Sequence, residues 1–541
     1  MSRSFSPEEQ EPLLSAEPEG ADYSSTNDEH PLSTPAMSPE GSETLVEEPR
    51  TERMTGPVPP EHLYRTLVLC FDGTGDQFDA DNSNIVELFA MLKKDDREHQ
   101  MCYYQAGIGT YTNPEIATPL MAKISKTLDE AIAWNLDAHV MGTSLTYPSK
   151  DLVHEAFTDG YEFLMQNYKA GDRICIFGFS RGAYTARALA GMIHKVGLLP
   201  ACNHQQVPFA YKMFKTTDEI GWKQSNAFKR AFSVDVKIEF IGVWDTVNSV
   251  GLIPRRLPFT TSNTIVRTFR HAVSLDERRS KFKANHWNVP TDKEAQLGTD
   301  VAQKPTAVRP KPVKKHTLLK AMERKFAEHQ DQPTDVLEVW FSGCHCDVGG
   351  GSVENGTPHS LARIPLRWMV RECFKAKTGI MFMADGLRGI GLEPASLFPV
   401  VLDRPPALQA GEARIQRIPS PAEAARQLGS PALVLKTEEE HELLDALSPI
   451  YDQLKIKWWF WWILEVLPQH QRHQAEDKTW VNKFTWNWWH GRKIPRQKKD
   501  FVYVHRSVKT RMEAKHADGT SYYPSASFQK AIKNDRLVWV D

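Results

Sequence analysis

Gly178-Phe179-Ser180-Arg181-Gly182 is the run in this 541-residue chain that points most directly at covalent chemistry. A serine hydroxyl alone is a weak nucleophile. It becomes effective where a tight turn lifts it clear of a strand end, a base takes its proton and backbone N–H groups await an oxyanion. The G-x-S-x-G spacing supplies the turn, because glycines on both flanks relieve crowding there. The context fits as well: Arg173–Phe179 (RICIFGF) reads as a buried strand, and Ala183–Val196 as a strong helix. The helix N-terminus behind Ser180 would add N–H groups and a positive dipole end, with the Arg181 amide as one oxyanion donor.

A serine in such a setting needs an acid at the end of a later strand and a base beyond the last one. Asp245 closes a predicted strand over 236–244 and meets the first demand. His345 follows a predicted strand over 336–342 and precedes Asp347-Val348-Gly349-Gly350-Gly351, whose glycines would let the loop fold back over Ser180. His271 and His505 are rival bases, and the residues leave that choice open. A second oxyanion donor is sought in Asp72-Gly73-Thr74, after the first strand, where the Gly73 or Thr74 amide could serve and Asp72 would brace the loop. The same triplet is the tail of the D-x-D-G-T motif of haloacid-dehalogenase phosphatases. Cys70 stands where that chemistry needs its nucleophilic aspartate, so that reading fails. Cys344 and Cys346 flank His345. On an extended segment they would face away from it, and no partner C-x-x-C pair exists, so neither a metal nor another cofactor is expected.

Positioning these groups takes a sheet. Arg65–Phe71 and Met101–Gln105 read as further strands, and Asn84–Lys94 and Leu152–Tyr168 as helices. Strands that are nearly continuous apolar runs and alternate with helices predict an α/β fold, mostly parallel, covered on both faces. Residues 1–60 hold ten prolines and a net charge of −10, and read as a disordered acidic arm. Residues 61–375 form the expected catalytic domain, interrupted at 290–334 by a polar, basic surface insertion. Residues 376–541 form an aromatic-rich subdomain, with eight of the fifteen tryptophans within 458–489.

Composition removes several functions. The remaining +8 charge beyond the arm is mild for so long a stretch, so nucleic acid is not an expected partner. Seven scattered cysteines fit a reducing compartment and predict a cytoplasmic location. The longest apolar run, Trp458 to Leu464, is far too short to span a bilayer, and no signal peptide opens the chain. That run leaves open a peripheral membrane contact, since tryptophan suits interfaces and Lys455 and Lys457 precede it.

The order of motifs is also familiar. Phe71-Asp72-Gly73-Thr74, then Ala106-Gly107-Ile108-Gly109-Thr110, then Ile176 to Arg187 around Ser180, then Gly242 to Val247, His271-Ala272 with Asp276-Glu277, and finally Trp340 to Gly351 follow one another. Together they resemble an uncharacterised α/β-hydrolase family that includes the catalytic domain of bacterial type VI secretion phospholipase effectors. The resemblance spans about residues 63–375. It implies an α/β-hydrolase-like fold and a Ser-Asp-His triad at Ser180, Asp245 and His345. The acidic arm, the basic insertion and the tryptophan-rich end depart from the bacterial effectors and look more like a eukaryotic, mainly fungal branch, so a toxin role does not follow. The expected function is hydrolysis of a lipid or phospholipid ester through an acyl-enzyme. The competing function is a catalytically inactive hydrolase fold that binds partners.

Overall fold

Thr66–Phe71 (β1) is buried at every position, as a strand covered by helices on both faces must be. The computed structural model describes residues 54–73, 76–107, 152–247, 257–289, 319, 322–323, 333–428, 437–456, 461–462, 465–466 and 468–541. Seven further strands join β1: Gln100–Gln105 (β2), Arg173–Phe179 (β3), Ile238–Trp244 (β4), Val266–Ser274 (β5), Asp335–Phe341 (β6), Val502–His505 (β7) and Leu537–Val540 (β8). They form one sheet in the order β8-β7-β6-β5-β4-β3-β1-β2, with every neighbouring pair parallel.

The alternation of side chains along the strands builds two cores. Leu67, Leu69, Ile174 and Ile176 point to one face, beneath helices Leu152–Asn167 (α2) and Ser180–Val196 (α3). Val68, Cys70, Cys175 and Phe177 point to the other, beneath Asn84–Met91 (α1) and Arg363–Lys375 (α5). Each such fully buried aliphatic or aromatic side chain contributes about 1.5–3 kcal/mol. The fold is thus α/β-hydrolase-like, a parallel sheet with helices on both faces.

Strand order places the site. From β1 the chain steps outward to β2, then returns to the other side of β1 as β3. The loops leaving β1 and β3 therefore part on opposite faces, and open α/β sheets bind ligands at such a switch point, beyond the carboxyl ends of the strands.

Three strands escape the hydrophobic pattern. β5 (VRTFRHAVS) carries Arg270 and His271 in its buried middle. Arg270 is neutralised by Asp335 and Glu372, and His271 meets Glu338, so polar residues occupy positions that a pattern search assigns to apolar ones. β7 and β8 are four residues each and come from the C-terminal part of the chain. At the other end, Pro57–Val58 pairs antiparallel with Phe382–Met383, inside the stretch expected as arm. The rest of the arm up to residue 53, nearly all of 290–334, Thr74 and most of 457–464 lie outside the described residues. Among the described residues no helix is long and apolar enough to cross a membrane.

Candidate active site

Ser180 sits at the joint between β3 and α3 with φ of 56°, a conformation that a non-glycine residue adopts at a cost of about 1–3 kcal/mol. Its glycine neighbours make the joint possible. A Cβ on Gly178 would lie 2.5 Å from the Gly182 carbonyl oxygen, and one on Gly182 would lie 2.3 Å from the carbonyl oxygens of both Phe71 and Asp72. The start of α3 therefore packs directly on the end of β1. The helix begins at Ser180 itself, three residues earlier than its pattern predicts, which puts the Arg181 amide in the first turn, where N–H groups project from the helix end.

Asp245 follows β4, is 0% exposed and has φ of 41°. His345 follows β6 and opens a short helix, His345–Gly349 (α4). That segment is helical where extended backbone was expected, and Cys344 caps it, with its thiol donating to the Asp276 carbonyl. Asp347 secures the cap by accepting the Cys344 N–H at 2.8 Å, and burial pushes its carboxyl up to about 7.

These two loops bring three side chains into line. His345 Nδ1 lies 2.5 Å from Asp245 Oδ2, and His345 Nε2 lies 2.8 Å from Ser180 Oγ. Burial opposes the charge of Asp245, but the Arg492 guanidinium and His345 outweigh it and hold the carboxyl well below the usual range. An ionised Asp245 accepts from Nδ1–H, which leaves the Nε2 lone pair facing the Ser180 hydroxyl. Phe179 and Phe282 enclose the imidazole, with ring centroids 4.7 and 4.9 Å away. Its backbone N–H donates to Glu277, which is held at about 2 against burial by the Arg279 guanidinium.

The rival histidines stand elsewhere. His271 Nε2 accepts the Thr246 N–H at 3.1 Å, so Nδ1 carries the proton and donates to Glu338 Oε1 at 2.7 Å. His505 stacks on Phe341, bonds Ser507, and is pushed down to about 3 by burial. His271, His286 and Glu338 form a cluster of metal-ligand types, yet the tautomer forced by Thr246 leaves no lone pair at the His271 nitrogen facing it.

At the end of β1, Asp72 braces its loop as expected. Its carboxylate accepts from the Gly73 N–H (2.8 Å), Ser83 Oγ (2.6 Å) and the Tyr104 hydroxyl (2.8 Å). The Gly73 amide is thereby engaged, and must leave Asp72 before it can serve an oxyanion. Thr74 lies outside the described residues.

Sequence reasoning missed Arg492 and Phe282, and named Glu277 among the ordered motifs without a role. Arg492 comes from the tryptophan-rich part and grips Asp245 through both guanidinium nitrogens, Nη2 at 2.8 Å from Oδ2 and Nη1 on Oδ1. Nothing local marks it, except that Gly491 allows the chain to descend: a Cβ there would lie 2.3 Å from the Ser525 carbonyl oxygen.

Residues 65–147 and 150–372 match the family described as "T6SS, Phospholipase effector Tle1-like, catalytic domain". The match takes in more than half of the chain. This protein belongs to that family. Its Tle1-like segment includes Ser180, Asp245 and His345 and ends well before Arg492. Similarity to the "Uncharacterized protein YEL023C" of Saccharomyces cerevisiae extends beyond it, at 27% identity over 85% of this chain and 81% of that one. Among solved structures, an uncharacterized protein from Pseudomonas aeruginosa is 18% identical over 71% of this chain and 53% of its own, with a TM-score of 0.31. The Tle1 effector bound to the VgrG spike of the type 6 secretion system is 17% identical over 56% of this chain and 53% of its own, with a TM-score of 0.23. The chain thus spans about half the length of each of these two structures.

Proposed function

We propose that this protein is a serine hydrolase that cleaves a carboxylic ester of a lipid or phospholipid through an acyl-enzyme. The single observation that carries the reading is His345, bonded at one ring nitrogen to Asp245 and at the other to Ser180. Membership of a phospholipase-effector catalytic family supports the substrate class.

In this mechanism Ser180 Oγ attacks the ester carbonyl carbon while its proton passes to His345 Nε2. Asp245 stabilises the imidazolium, and the Arg181 amide, with that of Gly73 once released, meets the oxyanion. Collapse expels the alcohol, which takes the proton back from Nε2. Water, activated by the same nitrogen, then frees the fatty acid and restores Ser180. The strained φ of Ser180 and its close packing against β1 fix the attacking atom, the kind of positioning on which such rates depend.

The domain plan follows: 61–375 carries the chemistry and 376–541 braces it, with Pro57–Val58 already joined to the fold through Phe382–Met383. The tryptophan-rich region supplies the route to lipid. Trp461 is 1% exposed and packs on Phe282, 5.7 Å between centroids, so it lines the wall behind His345. Trp462, Trp486 and Trp488 are 46%, 50% and 52% exposed. Trp462 and Trp488 lie 5.0 and 5.9 Å from the Trp489 ring, and Trp486 lies 6.5 Å from that of Trp488. Such a cluster suits peripheral contact with a bilayer. All seven cysteines are free thiols, which suits the cytoplasmic side.

A panel of short-chain esters and phospholipids, offered to the parent and to Ser180→Ala, tests the reading. Hydrolysis of at least one lipid ester is expected, reduced about 10³-fold or more in the variant. Equal turnover by the two proteins would contradict it.

A further inference from the structure

Asp245 is fully buried and serves two cations at once, the imidazole of His345 when protonated and the guanidinium of Arg492. Arg492 is itself buried, and each arm of its fork has work. Nη1 bonds Asp245 Oδ1 and reaches Ser274 Oγ at 3.0 Å, while Nη2 bonds Asp245 Oδ2 and the Phe282 carbonyl, the latter at 2.6 Å. Nε donates to the same Phe282 carbonyl at 3.0 Å. One side chain thus ties the carboxylate to the loop whose Phe282 ring lies against His345.

Two physical consequences follow. A bidentate guanidinium–carboxylate pair fixes the plane of the carboxylate, and with it the direction in which Oδ2 meets Nδ1. It also neutralises, at rest, a charge that would otherwise act on the imidazole alone. Also near His345 are Glu277, on its backbone N–H, Arg279, paired with Glu277, and Asp347, two residues on in α4, whose carboxyl accepts the Cys344 N–H. Lys283 lies further out, within the field of Arg492 and Glu277.

We propose that Arg492 is a positioning residue for the hydrolysis, holding Asp245 in register with His345 and setting how strongly the imidazole holds a proton. The inference rests on the serine-hydrolase reading. It also makes the C-terminal part of the chain necessary to the chemistry, because Arg492 lies 120 residues beyond the end of the family match at residue 372.

The test is the pH profile of kcat/KM for p-nitrophenyl butyrate, with the full-length parent, Arg492→Met and Arg492→Lys. Removing the cation leaves the Asp245 charge to the imidazole, which then protonates more readily. The acid limb of Arg492→Met is therefore expected to move up by about one pH unit. Arg492→Lys keeps a cation but loses the fork, so its limb should stay near that of the parent while its plateau falls about tenfold. If Arg492→Met does not fold, as judged by thermal unfolding, Arg492→Gln takes its place with the same shift expected. An unmoved acid limb in the folded uncharged variant, with an active parent, overturns the role of Arg492 alone. A parent with no Ser180-dependent turnover overturns the hydrolase reading, and this inference with it.

Discussion

At Ser180, Asp245 and His345 the residue-scale question is which groups act as a unit. If His345 is the base, His345→Ala should lower ester turnover about as much as Ser180→Ala, and the double variant should be hardly worse, because a triad fails as one device. His271→Ala should behave differently. It takes one hydrogen bond from Glu338 and leaves the buried Thr246 N–H without its acceptor, so the cost falls on stability, by about 1–3 kcal/mol, and not on turnover. Steady-state kinetics and urea midpoints of the three single variants separate the cases. An active His345→Ala beside a folded but inactive His271→Ala would reverse the assignment. The serine was legible in the sequence because its glycines and flanking strand and helix are contiguous. Asp245 was legible as a residue closing a strand, and His345 as one of three histidines among which the residues alone did not choose. Arg492 was not, since it reaches its partner across 247 positions with no local pattern.

The elements around the site owe their precision to backbone approaches, and Gly182 is the clearest. A methyl group there meets two carbonyl oxygens at 2.3 Å, and backbone atoms at the end of β1 cannot swing aside as a flexible side chain would. Gly182→Ala should push the first turn of α3 away from β1 and carry Ser180 with it. The expected result is a fluorophosphonate labelling rate lower by about 10²-fold, with a stability loss of about 1–3 kcal/mol. A parent-like rate would show that the close approach is not needed. The same scale explains which strands could be read beforehand. β1, β3 and β4 are nearly continuous apolar runs and announce themselves, whereas β5 buries Arg270 and His271 behind acidic partners that only the fold supplies.

For the whole molecule, the tryptophan-rich region holds buried and exposed tryptophans that its composition could not separate. Trp461 belongs to the wall behind His345, whereas Trp462, Trp486 and Trp488 face outward. Flotation with phosphatidylcholine–phosphatidylserine vesicles distinguishes surface from core. Changing Trp462, Trp486 and Trp488 together to Ser should cut the bound fraction about tenfold or more while leaving thermal unfolding near that of the parent. Trp461→Ser should instead destabilise the fold by about 3–5 kcal/mol, as the loss of a large buried aromatic does. A parent that does not float, or a triple variant that floats equally well, would remove the membrane contact from the account. The most direct measurement of the central claim is covalent capture of the nucleophile. The full-length protein, incubated with a fluorophosphonate and digested for mass spectrometry, should carry one adduct, on Ser180, and Ser180→Ala should carry none. An adduct that persists in the variant, or a folded parent that takes up no reagent, would contradict it.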